Sequence, residues 1–176
     1  MAYYVIRVAP RQEEVFLQLS SRLVNTEGVT VVFPRRRMEQ RKAGKRVQTE
    51  VALFPGYVFL RSETGLDSEL YARIKSLPGY AKFLTQDGQV SEVKGRDLEL
   101  LGHFLKFGEV APVSQVVFDE NDRIRVLSGP MEGLEGNIIH VDRRKRRAKI
   151  RLSLDHTSFT LTLGFELMGT LPGVAP

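Results

Sequence analysis

Helical periodicity stops partway along this chain, and that limits what it can fold into. Apolar residues recur at helical spacing at Val15, Phe16, Leu19 and Leu23, and again at Leu66, Leu70, Ile74 and Leu77. A third helix is expected over residues 97–107. Beyond it the pattern is only of short β-branched runs cut by Gly-rich turns. Strands are expected at 3–8 (YYVIRV), 29–34 (VTVVFP), 47–60 and 80–84, interleaved with the helices. The order β-α-β-β-α-β-α predicts an α+β domain over 1–107, an antiparallel sheet with helices on one face. Residues 108–118 carry little periodicity and read as a linker. Strands at 123–127, 137–141, 149–154 and 159–163 then predict a small all-β barrel over 119–176, with a frayed tail at 171–176.

Several function classes fall away on composition. The chain has no Cys, which excludes disulfides and thiolate metal sites and fits a reducing cytoplasm. Its three His residues, His103, His140 and His156, lack any metal-ligand spacing, and no cofactor or metal is expected. No apolar run approaches the roughly 18 residues of a membrane span, and no signal peptide is visible. A cytoplasmic protein without a membrane partner is therefore expected, as a monomer. There is no nucleophile motif, Walker loop or dinucleotide fingerprint. Gly133 and Gly136 in EGLEG lack the Lys-Ser/Thr and the helix of a phosphate loop, so they read as turn glycines. An enzyme is not expected.

Charge is concentrated rather than spread. Residues 35–46 (RRRMEQRKAGKR) hold seven basic residues and one acid, and 143–151 (RRKRRAKIR) hold seven and none. Outside these runs 12 basic residues face 20 acidic ones. Two basic patches on an acidic protein point to a polyanion partner, although solvated hairpin tips would carry the same charge. The candidate nucleic-acid residues are Arg35, Arg36, Arg37, Arg41, Lys42, Lys45 and Arg46 in the first run. In the second they are Arg143, Arg144, Lys145, Arg146, Arg147 and Lys149.

The stretch LFPGYVFL (53–60) is the most apolar in the chain, yet Pro55-Gly56 interrupts it. Pro cannot donate to a ladder and Gly has nothing to pack, so the strand must kink there. FPGYV at 54–58 resembles the signature of the NusG amino-terminal domain. YYVIRV before a helix, FPRRR before the basic hairpin and SLPGYAKFL at 76–84 resemble further parts of that domain in register. Residues 121–152 resemble a KOW motif. In them a strand leads to Ser-Gly-Pro, then to Gly136 six residues after Pro130, then to alternating apolar residues. On that reading Gly136 takes a backbone conformation closed to other residues, and Ile124, Val126, Ile138 and Val141 fill the barrel.

The resemblance implies a transcription elongation factor that docks an apolar depression onto the clamp helices of RNA polymerase and suppresses pausing and termination. It implies polymerase contact by Phe54 and Tyr57, with Tyr4, Tyr80 and Phe83 lining the same hollow; core packing is the alternative for all five. The basic hairpin would approach upstream DNA. Where general factors of the family carry Phe-Gly-Arg, this chain has Asp155-His156-Thr157, which weakens coupling to a ribosomal protein or Rho. The basic run after Val141 resembles instead a specialised paralog of the LoaP or RfaH type, an antiterminator contacting a nascent RNA hairpin. A general factor coupling polymerase to ribosome or Rho is the alternative. The β-rich composition of 138–154 predicts a barrel that does not switch to helices.

Overall fold

The computed structural model describes residues 1–24, 28–154 and 157–169, without the side chains of Leu23, Arg41, Lys42, Arg46, Leu154 and Thr157. The turn at 155–156 and the tail therefore lie outside the described residues. In chain order the first elements are β1 (Ala2–Val8), α1 (Glu13–Leu23), β2 (Val29–Val32), β3 (Arg35–Lys42), β4 (Lys45–Ala52) and β5 (Tyr57–Ser62). They are followed by α2 (Ser68–Lys75), β6 (Tyr80–Phe83), β7 (Thr85–Gln86), β8 (Gln89–Val90) and α3 (Gly95–Leu105). The remainder is β9 (Val110–Ala111), β10 (Ser114–Phe118), β11 (Ile124–Ser128), a 3-10 turn at Glu135–Asn137, β12 (Ile138–Asp142), β13 (Arg147–Leu154) and β14 (Thr157–Leu167).

These elements form two compact units. One holds Met1–Pro34 with Phe54–Gly102, the other Arg35–Leu53 with the described part of His103–Pro176. The first is the expected α+β sheet, with strand order β2-β5-β1-β6 and every neighbouring pair antiparallel. β5 lies inside this sheet, and Val58, Phe59 and Leu60 are all buried, so an uninterrupted apolar run is what the position demands. Phe16 of α1 and Ile74 of α2 are buried with it, whereas Val15 is exposed. The Asp67 carboxylate caps α2 by accepting from the Leu70 N–H at 2.7 Å.

The strand expected over 47–60 is two strands. β4 ends at Ala52, and residues 54–57 form a turn in which the Tyr57 N–H donates to the Phe54 carbonyl at 3.1 Å. Pro at the second position and Gly56 at the third, with φ +83°, are the signature of a type II turn. The turn is pinned twice. The Gly56 N–H donates to Glu13 Oε1 at 2.8 Å, and the Gly56 carbonyl accepts from the Val8 N–H at 2.9 Å.

In the second unit, β3 and β4 form a hairpin closed by Ala43-Gly44, both at positive φ as a two-residue type I′ loop requires. β9 pairs in parallel with β3. Five further strands form the sheet β11-β10-β14-β13-β12, with β10 and β14 parallel. Segment 108–118 is therefore not a linker. Its β10 is flanked on both sides, with Val116 and Val117 buried, and an irregular polar spacing had disguised the strand. The core of the unit is Val116, Val117, Met131, Ala148, Ile150, Leu152, Leu161, Leu163 and Phe165. Ile124, Val126, Ile138 and Val141 are only half-buried.

The glycine that the turn at 128–137 cannot spare is Gly129, not Gly136. Gly129 has φ +99°, and a Cβ there would come within 2.7 Å of Ser114 Cα. Gly136 sits in the 3-10 turn with open space around it. The close approach lets Ser114 Oγ accept from the Met131 N–H at 2.9 Å and seats Met131 in the core.

Candidate functional site

Directly paired residues of an antiparallel sheet share a face, so register decides which aromatics of the first unit act together. One face carries the row Lys82, Arg7 and Tyr57, then the row Val5, Phe59 and Val32, then Tyr3, Arg61 and Thr30. The opposite face carries Phe83, Ile6 and Val58, then Tyr4, Leu60 and Val31. Tyr57 and Tyr4 therefore point to opposite sides, and the five predicted aromatics do not line one hollow.

Two of the five are core. Phe54 is only 3% exposed and packs edge-on against Phe59, with ring centroids 5.5 Å apart. Phe83 is 2% exposed and stacks on Tyr71 at 5.4 Å. Tyr80 packs edge-on against Phe83, and its hydroxyl oxygen accepts from the Phe83 N–H at 3.1 Å. Burial raises the Tyr80 pKa. Tyr4 and Tyr57 are half-buried.

On the Tyr57 face, Val5, Phe59 and Val32 are buried between two accessible rims. The rim with Tyr57 also presents Arg7 and Lys82, both exposed. Sequence reasoning passed over Arg7 and Lys82 because nothing local marks them. Their signal is the pairing register, which a single chain's pattern does not reveal.

The basic hairpin divides between internal and external roles. The Arg35 guanidinium meets Glu50 at 2.7 Å and Glu109 at 3.7 Å. Arg36 donates to the Thr162 carbonyl at 2.7 Å and also to the Ala52 carbonyl. Burial first, and the nearby Arg147 charge second, lower its pKa to about 10. Arg147 donates in turn to the Glu39 carbonyl at 2.7 Å. The Nε atoms of Arg35 and Arg147 are buried without a hydrogen-bond partner. These three arginines hold β3 to its neighbours and are not a free surface. Arg37 and Lys45 are exposed, whereas the side chains of Arg41, Lys42 and Arg46 lie outside those described.

The second basic run divides in the same way. Arg143 lies 3.6 Å over the Phe118 ring and pairs with Asp122 at 2.9 Å. Lys145 pairs with Asp142 at 3.6 Å, and its backbone N–H donates to the same carboxylate at 2.9 Å, which lowers the Asp142 pKa. Arg146 is half-buried at φ +53°. Arg144 and Lys149 are exposed. Among the described residues no cluster of His, Cys, Asp or Glu could hold a metal ion, and no helix is long and apolar enough to cross a membrane. The arrangement offers surfaces for binding.

Comparison with known proteins agrees on one family. The family model described as "NusG: Transcription termination factor nusG" matches residues 1–101. A "Transcription termination/antitermination protein NusG" of Helicobacter pylori is 25% identical over 162 residues, covering 88% of this chain and 89% of the relative. The Synechocystis protein of the same description is 32% identical over 123 residues, covering 65% of this chain and 59% of its own length. Among solved structures, "Domain interaction in Thermotoga maritima NusG" matches in fold with a TM-score of 0.61 and 23% identity over 93% of each chain.

Proposed function

This chain belongs to the NusG family, and on that premise we propose that it binds the clamp helices of RNA polymerase through its α+β unit and suppresses pausing and termination. Its relatives are transcription termination/antitermination proteins, not enzymes. The action is a shift of population. A ligand that binds the closed, elongating polymerase better than the paused one moves the equilibrium by that difference in affinity alone.

The observation that carries the reading is the rim of Tyr57, Arg7 and Lys82. Tyr57 closes the Pro55-Gly56 turn and starts β5, and the strand register sets it in a row with two exposed cations. An aromatic edged by cations is a typical anchor for a partner helix with acidic flanks. Phe54, buried against Phe59 of this face, supports it by packing.

The finer reading is a specialised antiterminator. Its first support is the excess of cations in 143–151, which a nascent RNA hairpin would attract. Its second is exposed Arg37 and Lys45 on the hairpin, suited to upstream DNA. The test is read-through of an intrinsic terminator by purified cognate polymerase, with wild-type protein and with Tyr57→Ala. Read-through that rises with wild type and falls to the factor-free level with the variant is the expected result. Wild type without effect on any leader sequence overturns the antitermination reading in favour of a general factor coupled to ribosome or Rho.

A further inference from the structure

β13 is flanked by β12 and β14, and from Ala148 to Ser153 its residues alternate between core and surface. Ala148, Ile150 and Leu152 point inward and are buried, while Lys149, Arg151 and Ser153 point outward and are exposed. Across the ladder Lys149 stands opposite both Thr162 and His140, Arg151 opposite Thr160, and Ser153 opposite Ser158. Around Lys149 and Arg151 the outer face thus sets two cations among hydroxyls, with Asp142 and Glu166 further along it and Arg147 turned to the Glu39 carbonyl. Lys149 and Arg151 lie about 7 Å apart along the strand, a step comparable with that between neighbouring backbone phosphates.

This pair is unlike the turn beside it. Arg143 and Lys145 are each held by an aspartate, so much of their charge is neutralised. No acid is directly opposite Lys149 or Arg151 in the ladder. The one acid of β12 on this face, Asp142, is engaged by Lys145.

We propose that the outer face of β12–β13–β14, centred on Lys149 and Arg151 with Thr160 and Thr162, grips the backbone of a base-paired RNA stem. This rests on the nucleic-acid role given above to the second unit, and it moves the contact from the turn to the sheet. The chemistry selects the partner. The described residues of the face include no Phe, Tyr or Trp, so it lacks the stacking platforms that hold single strands. Cations beside hydroxyls suit what a paired RNA helix displays, phosphates and 2′-hydroxyls, independently of base sequence.

The test is fluorescence anisotropy of the full chain with a labelled RNA stem-loop, a DNA stem-loop of the same sequence and an unpaired RNA of the same length. Lys149→Gln/Arg151→Gln is expected to weaken RNA-stem binding about tenfold or more. It should also lower the slope of log K against log salt by about two, one per lost phosphate contact. Arg143→Gln/Lys145→Gln is expected to stay within about threefold of wild type. The reverse ranking, or unpaired RNA or DNA bound as tightly as the RNA stem, overturns the assignment. Wild type that binds none of the probes overturns the nucleic-acid role itself. Wild type that binds but is indifferent to Lys149 and Arg151 overturns only this face. Circular dichroism of each variant checks that the fold is intact.

Discussion

Phe54→Ala separates support from contact on the Tyr57 face. Phe54 is 3% exposed and sits edge-on to Phe59, itself fully buried inside the four-stranded sheet. Truncating a buried Phe costs about 3–5 kcal/mol, which already includes the aromatic pair, worth about 0.5–1.5 of it. For a chain of this length each kcal/mol moves the melting temperature by about 2–4 °C, so a drop of roughly 10 °C is expected. Tyr57→Ala removes a half-buried ring at the sheet rim and should cost about 1 kcal/mol or less, a shift of at most about 4 °C. Differential scanning calorimetry of the two variants reads both values. Terminator read-through at a temperature where both are folded then separates the roles. Tyr57→Ala should be stable and inactive, whereas Phe54→Ala should be unstable and should retain activity when cold. A Phe54→Ala melt within about 2 °C of wild type would refute the packing argument and return Phe54 to the surface.

Gly56→Ala meets no atom within 4 Å, so only left-handed backbone strain opposes it, and a loss of about 1–2 kcal/mol is expected in chemical denaturation. Gly129→Ala adds a collision with Ser114 Cα to the same strain and should leave the second unit unfolded or insoluble on expression. Arg36→Lys keeps the charge but cannot reach both the Thr162 and Ala52 carbonyls, and a loss of about 2 kcal/mol is expected by thermal melting. Asp119 accepts from the Arg123 and Asn121 N–H groups, which lowers its pKa below 3.8. Its stabilisation is therefore fully present above the ordinary value and lost as pH falls from there through the lowered pKa of the folded state. Asp119→Asn should flatten the acid limb of a circular-dichroism pH titration below about pH 4.

How much was legible in the sequence depended on how local the cause was. The Pro55-Gly56 break is set by residues within a few positions of one another. The strands of β13 and β14 announce themselves by strict alternation. β9 and β10 do not, because what makes them strands is pairing with β3 and β14, one earlier and one later in the chain. The arginines show the same limit. Arg36 and Arg37 are neighbours in a single basic run, yet pleating sends Arg36 inward to carbonyls and Arg37 to solvent. Reading 35–46 as a charged tip concealed this alternation. Reading it as a strand would have shown that Arg36 and Arg37 face opposite ways, though not that Arg35, on the Arg37 side, is held by Glu50 and Glu109. Likewise, Tyr4 and Tyr57 look equivalent as exposed aromatics until the β1–β5 register puts them on opposite faces.

The interleaving of the two units sets a timetable for synthesis. β3 and β4 leave the ribosome between two segments of the first unit, but Arg36 bonds to the carbonyl of Thr162. About 110 residues separate Leu53 from that carbonyl, so at about 5–20 residues per second the finished hairpin waits roughly 5–20 s for its partner strand. During that interval the arginines later turned toward backbone carbonyls have no Thr162 carbonyl to meet, while the acids of 47–142 bring the running charge of the nascent chain down from its value at the hairpin. No single cut in the chain separates one unit from the other, so each is completed only by translation past the whole of its counterpart's inserted segment.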